Sequence, residues 1–320
     1  MAIRPDPTFY PSPKLAMEGP PEEFAYTALL SGDSSKPDAL AVIDVMRGSP
    51  TYNQVVHTVT MPYKGDEFHH FGWNACSSAL SPLTGHAFLE RRYLIIPGIR
   101  SSRVYVVDTK PHPTQAKIHK IIEPEEIFKK TGYSRPHTVH CGPEGIYVST
   151  LGGGGKDGTE GAPGVFIMDC ETFEVLGRWE IDRGPQKLHY DFWWNLPRDY
   201  MVSSEWGLPP QFENGIVAED LLANKYGHHL HFWDLRARRN VQTIDLGANP
   251  RSKSARRMIR CANMAFWASW STRPIWKARF GLGGARTASS MSKRQRQSRR
   301  NPRPKSNCRP CCRASAPCRR

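Results

Sequence analysis

A chain of 320 residues with 39% apolar and 10% aromatic side chains can bury a large core, and its net charge of +14 invites a nucleic-acid or membrane-surface reading. The placement of that charge excludes the reading for most of the chain: residues 249–320 carry 20 Lys and Arg without one Asp or Glu, while residues 1–248 hold 24 basic and 30 acidic side chains. No apolar run reaches about 18 residues, so no membrane span is expected, and Cys76, Cys141 and Cys170 are too scattered to form a disulfide framework.

The chain opens MAIRPDPTFYPSPKL, which has neither an apolar h-region nor a small-residue cleavage site. A cytoplasmic protein is expected, or a periplasmic one if a signal lies outside this sequence. Four short apolar runs ending in Asp then follow: ALAVIDV (39–45), RVYVVDT (103–109), GVFIMDC (164–170) and HLHFWDL (229–235). Their aspartates, Asp44, Asp108, Asp169 and Asp234, stand 64, 61 and 65 residues apart. After each comes a turn and a second strand-like stretch: NQVVHTV, AKIHKII, FEVLGRW and NVQTIDL. Long amphipathic helical patterns are scarce. Near-constant spacing with about four strands per unit predicts an all-β chain built as a β-propeller, with about four blades in residues 1–248. The aspartates read as Asx caps of strand-end turns rather than as catalytic acids. Gly152–Gly155 with Lys156 lacks the GxxxxGK[ST] spacing and the following helix of a phosphate loop, so it reads as an inter-strand loop.

The twelve histidines all fall in residues 1–248. His69 and His70 lie in DEFHHFGWNACSS, His137 and His140 in RPHTVHC, His189 in KLHYDFWW, and His228, His229 and His231 in YGHHLHFWD. In a propeller the innermost strands converge on one channel, so residues one blade period apart become neighbours, and His70 and His137 are 67 residues apart. A single histidine near a strand is more often a hydrogen-bonded core residue than a ligand. A set recurring in register, His69, His70, His137 and His140, points instead to a metal centre. Imidazoles with few carboxylates favour copper or zinc, and only copper adds redox chemistry. Cys76 has two readings: a soft ligand or reactive thiol beside the histidine pair, or a small buried residue packed behind Trp73.

At these residues the sequence resembles the selenium-binding protein family, whose members include methanethiol oxidases. The stretches that carry the resemblance run in order: KGDEFHHFGWNACSS (64–78), IRSSRVYVVD (99–108), HKIIEP (119–124), RPHTVHC (135–141), ETFEVLGRWE (171–180), HYDFWW (189–194), SSEWGLPP (203–210) and YGHHLHFWD (226–234). The resemblance implies a seven-bladed propeller with a copper site made by histidines, matched here by His69, His70, His137, His140 and His229. His189 and His228 receive no comparable role from it. Cys76 is the candidate for cofactor binding, with selenium as the second group to consider. The implied reaction is oxidation of methanethiol by O2 and water to formaldehyde, hydrogen sulfide and hydrogen peroxide. The partners are therefore a small thiol and O2. The alternative is a propeller that binds a thiol or selenium species without turnover.

The resemblance stops with the fourth Asp repeat. Where a fifth repeat is due, the chain reads RSKSARRMIRCANMAFWASW and then SKRQRQSRRNPRPKSNCRPCCRASAPCRR. Loss of every acid while Arg, Ser, Pro and Cys rise together is the signature of a GC-rich coding region read out of frame, with the break near 248–251. The rival is a basic disordered arm that binds nucleic acid, against which Trp267, Trp270 and Trp276 argue. The expected organisation is a partial propeller over 1–248, incomplete and doubtful in activity, followed by an aberrant or disordered tail over 249–320.

Overall fold

The computed structural model describes residues 4–33, 35–153 and 161–247. The expectations for the basic tail therefore lie outside the described residues, as do Gly154, Gly155 and Lys156. Among the described residues, fifteen strands form four separate antiparallel sheets in chain order. The first contains β1 (Phe24–Leu29), β2 (Ala39–Asp44) and β3 (Val55–Thr60). The second runs β4 (Gly72–Trp73), β5 (Tyr93–Pro97), β6 (Val104–Asp108) and β7 (Lys117–Ile122). The third runs β8 (Pro136–Gly142), β9 (Gly145–Thr150), β10 (Gly164–Met168) and β11 (Val175–Arg178). The fourth runs β12 (Phe192–Asn195), β13 (Tyr200–Ser204), β14 (His229–Asp234) and β15 (Arg239–Asp245). Each strand pairs with its neighbour in sequence, which is the blade topology of a β-propeller, present here as an open set of four sheets.

The repeat read from the sequence is structural at the level of single residues. Each Asp run is the second strand from the outer edge of its sheet, and its pairing with the outermost strand shifts register at the same place. The shift falls at Val42/Ile43, Val106/Val107, Ile167/Met168 and Phe232/Trp233, always immediately before the aspartate. The extra residue lies in the outermost strand each time (Val56, His119, Leu176 and Val241), so that strand bends and gains twist close to the turn. The aspartates then close that turn as expected. Asp44 Oδ1 accepts from the Met46 amide at 2.8 Å, and Asp108 Oδ1 from Lys110 at 3.0 Å. Asp169 Oδ1 takes the amides of Glu171 and Thr172 at 2.9 and 2.7 Å, and Asp234 Oδ1 those of Arg236 and Ala237 at 2.9 and 2.8 Å.

The sheets pack face to face, which explains why their middle strands are apolar without alternation: both faces are buried. From β5 and β6, Leu94, Ile96, Tyr105 and Val107 pack toward Leu40, Val59 and Met61, while Ile95, Val104 and Val106 pack toward Val139, Ile146 and Val148. The next interface repeats the pattern, with Tyr147, Val165, Ile167 and Trp179 meeting Phe192, Met201 and Trp233. Each such fully buried large side chain contributes about 1.5–3 kcal/mol. Helices are few and short, the longest covering Pro124–Thr131, and none among the described residues is long and apolar enough to cross a membrane.

Candidate metal centre on the inner strands

The histidines sit at or just ahead of the innermost strand of successive sheets. His69 and His70 precede β4, His137 and His140 lie on β8, and His189 precedes β12. β4 approaches β8 so closely that a Cβ on Gly72 would stand 2.6 Å from the Val139 carbonyl oxygen, an approach only glycine allows. That contact sets the His69–His70 segment against His137. Ring centroids are 4.4 Å apart for His70 and His137, and 5.9 Å for His69 and His137. Tyr190 closes the other side of His137 at 4.7 Å. His140 packs on Phe192 and Trp194 of β12, with its Nε2 4.0 Å from Asp191 Oδ1. The structure thus packs His69 and His70 against His137, while His140 lies against β12 with Asp191 beside it.

Burial favours the neutral rings of His70, His137 and His140. Burial, reinforced by His70, His69 and His189, pushes His137 down to about 2. Burial likewise depresses His70, although Asp191 opposes it. His189 is fully buried and pushed down to about 3, first by burial and then by His231. Neither ring nitrogen of His189 has a hydrogen-bond partner among the described residues. Such orphaned buried nitrogens are rare unless a ligand or ion satisfies them. Asp191 is raised by burial, with the charge of His140 and the Phe192 amide pulling the other way. At the exposed rim, His69 Nε2 meets Glu67 Oε1 at 2.9 Å, and Arg100 also binds Glu67. The hydrogen bond from His69 contributes most to holding Glu67 below its ordinary value.

His229 lies in a second group, where its ring neighbours are His228 and His231. Glu205, just beyond β13, organises this group by bonding His229 Nδ1 at 2.8 Å and His231 Nε2 at 3.0 Å. Burial opposes its ionisation, but those two bonds outweigh it and hold Glu205 at about 2. Cys76 also stands apart. Its half-buried Sγ is 3.1 Å from Cys141 Sγ, and the Ser78 hydroxyl is 3.1 Å from the first sulfur and 2.7 Å from the second. The bond from Cys141 lowers Cys76 to about 6. Cys141 and His140 are adjacent on β8 and so face opposite sides of the strand, Cys141 toward the second sheet and His140 toward the fourth.

Sequence reasoning named His189 without giving it a ligand role, and passed over Asp191 and Glu205. His189 lies just ahead of β12, as His70 lies just ahead of β4. It follows His137 by only 52 residues, however, so a search at one blade period misses it. The two acids carry no spacing signal; each becomes informative only through the imidazoles that surround it.

Comparison with known proteins identifies the family of the chain. The profile of the family described as 56 kDa selenium binding protein matches residues 3–259, ending shortly after the composition break near residue 248. The methanethiol oxidase of Xenopus laevis is 45% identical over 244 residues, covering 74% of this chain and 50% of the relative. Selenium-binding protein 3 of Arabidopsis thaliana is 41% identical over 241 residues, covering 74% and 49%. Among solved structures, a hypothetical selenium-binding protein from Sulfolobus tokodaii matches with a TM-score of 0.71 at 54% identity, covering 76% of this chain and 53% of that one. The chain therefore spans about half the length of the curated relatives it matches.

Proposed function

Because the chain belongs to the 56 kDa selenium-binding protein family, we propose that it contributes the copper-binding inner strands of a methanethiol oxidase. The whole protein would convert methanethiol, O2 and water to formaldehyde, hydrogen sulfide and hydrogen peroxide. The observation that carries this reading is the contact of His70 with His137 across two blades, in a chain 45% identical to a methanethiol oxidase.

The residues present fit copper. Four imidazoles, with the carboxylates of Glu67 and Asp191 beside them, are a borderline donor set of the kind copper takes. Metal ligands must be deprotonated, and burial already holds His70 and His137 neutral. His189, neutral and without a hydrogen-bond partner on either ring nitrogen among the described residues, adds one further donor nitrogen. His69, His70, His137 and His140 would hold the metal. Copper, when bound, supplies the one-electron steps that connect a thiol to O2.

The chain's own residues supply position and proton transfer. Tyr190, Phe192 and Trp194 form an aromatic wall against His137 and His140 that excludes water from one side. Asp191 Oδ1, 4.0 Å from His140 Nε2, is the acceptor placed to take the thiol proton as sulfur becomes the electron donor. Its buried setting makes it a stronger base than an exposed aspartate. The test is to supply methanethiol and O2 to the copper-loaded protein carrying the second half its relatives have. Formaldehyde, sulfide and peroxide should appear in equal amounts, and Asp191→Asn should lower kcat about 100-fold, as loss of a general base does, at unchanged copper content. Copper-loaded protein that forms none of the three products would refute the assignment.

A second reading rests on Cys76. Its lowered pKa and its pairing with Cys141 make a soft nucleophile away from the histidines. A propeller that held a selenium species there without turnover would bind selenite in the absence of copper and lose it in Cys76→Ser.

A further inference from the structure

The group at His228, His229 and Asp245 is a second constellation, and it holds His229, the one histidine of the resemblance-implied copper set that the structure places apart from the inner-strand group. One donor atom from each lies within 4.8 Å of the other two, with His228 Nε2 3.6 Å from Asp245 Oδ1. These three residues come from the two ends of one hairpin: His229 opens β14 and pairs across the ladder with Asp245, which closes β15.

The outer shell is what distinguishes this cluster from an accidental meeting of polar side chains. His228 Nδ1 faces the Tyr226 carbonyl oxygen at 3.3 Å, and His229 Nδ1 faces Glu205 Oε2 at 2.8 Å. Both partners accept only, so both rings carry their proton on Nδ1 and leave Nε2 as a free lone pair. A carbonyl or carboxylate behind each imidazole is the arrangement that fixes tautomer and ring direction at metal sites. Glu205 is itself oriented by the amides of His228 and His229 at 3.3 and 3.2 Å and by His231 at 3.0 Å. The loop is pinned where Gly227 donates its amide to the Trp206 carbonyl at 2.6 Å. A Cβ on Gly227 would come within 2.9 Å of that same oxygen, so glycine is required for the approach.

We propose that His228, His229 and Asp245 form a second metal site, separate from the inner-strand centre, that takes a divalent ion of the zinc class. Two imidazoles and one carboxylate are a zinc-type donor set. Tetrahedral coordination with bonds of about 2.0–2.2 Å needs donors roughly 3.3 Å apart, so donors now within 4.8 Å of one another close by at most about 1.5 Å when the ion binds. The fourth position opens on a cavity of about 360 Å³ lined by Lys187, Tyr226 and Thr243, which leaves room for water or a small anion. The site is therefore of the open kind rather than a sealed structural knot.

The test uses the full chain, reduced, with Zn²⁺ and then Co²⁺ as probes. Wild-type protein should bind one equivalent more zinc than His228→Ala or Asp245→Asn, while His70→Ala, altered at the inner centre, should keep that equivalent. Cobalt at this site should show d–d bands without the sulfur charge-transfer absorption that the tail cysteines would give, and both substitutions should remove those bands. Asp245→Asn keeps the shape of an exposed side chain and guards against a folding artefact, checked by an unchanged circular dichroism spectrum. Zinc stoichiometry that is the same in all three variants as in wild type would overturn the proposal. So would loss of the equivalent in His70→Ala, which would make the two centres one.

Discussion

The imidazole rings of His70 and His137 lie with centroids 4.4 Å apart although 67 residues separate them in the chain. One blade of sequence lies between them, and the propeller topology returns the chain to the same axis. Gly72 makes the return close enough for contact, because a Cβ there would strike the Val139 carbonyl.

The strand-end aspartates hold the blades rather than the chemistry. Asp169 gathers two backbone amides and the Thr172 hydroxyl. Asp169→Ala should destabilise by about 1–2 kcal/mol, as loss of a cap that satisfies backbone donors does. Asp169→Asn should recover most of that. Urea unfolding of both variants checks this; equal stability of Asp169→Ala and wild type would remove the capping role.

Glu180 sets one stability-against-pH slope. It is buried between Val165, whose amide it accepts at 2.6 Å, and the Tyr133 hydroxyl at 3.1 Å. Burial raises it from 4.5 to about 7, with the Val165 amide, Arg183 and Tyr133 opposing. A carboxyl raised on folding favours the folded state while protonated. Its contribution is full below pH 4.5 and is lost as the pH rises through 7. Glu180→Gln, which cannot ionise, should therefore exceed wild type at pH 8 by something on the order of 2 kcal/mol and match it near pH 4. A difference that does not change with pH would contradict this.

The three body cysteines should separate by reactivity. Cys76 is lowered to about 6 by Cys141, with burial opposing and Ser78 assisting, whereas burial pushes Cys170 up to about 12. At pH 7 iodoacetamide should label Cys76 far ahead of Cys170, as peptide mass mapping would show. Cys141→Ala should slow Cys76 labelling about 10-fold by returning it toward the thiol form. Equal labelling of Cys76 and Cys170 would be the contrary result.

Much of the fold was legible because one short signal repeats. The apolar run ending in Asp gave the blade count and period, and the structure adds a bulge in the outermost strand opposite the residues just before every one of those aspartates. The site was legible where it followed the same period, as for His70 and His137. It was hidden where the period slips, as for His189, and where a residue matters only through its surroundings, as for Asp191 and Glu205. His229 shows a further limit: it stands in a histidine-rich motif, yet its neighbours are His228, Asp245 and Glu205. Only the β14–β15 register reveals that pairing.

The central claim is that the imidazoles of the inner strands bind copper. Electron paramagnetic resonance of Cu²⁺ added to the protein completed with the second half its relatives carry tests it most directly. The account predicts nitrogen superhyperfine structure from several imidazoles, with His70→Ala and His140→Ala each losing nitrogen couplings and most of the bound copper. A spectrum and copper content unchanged in both variants would contradict it.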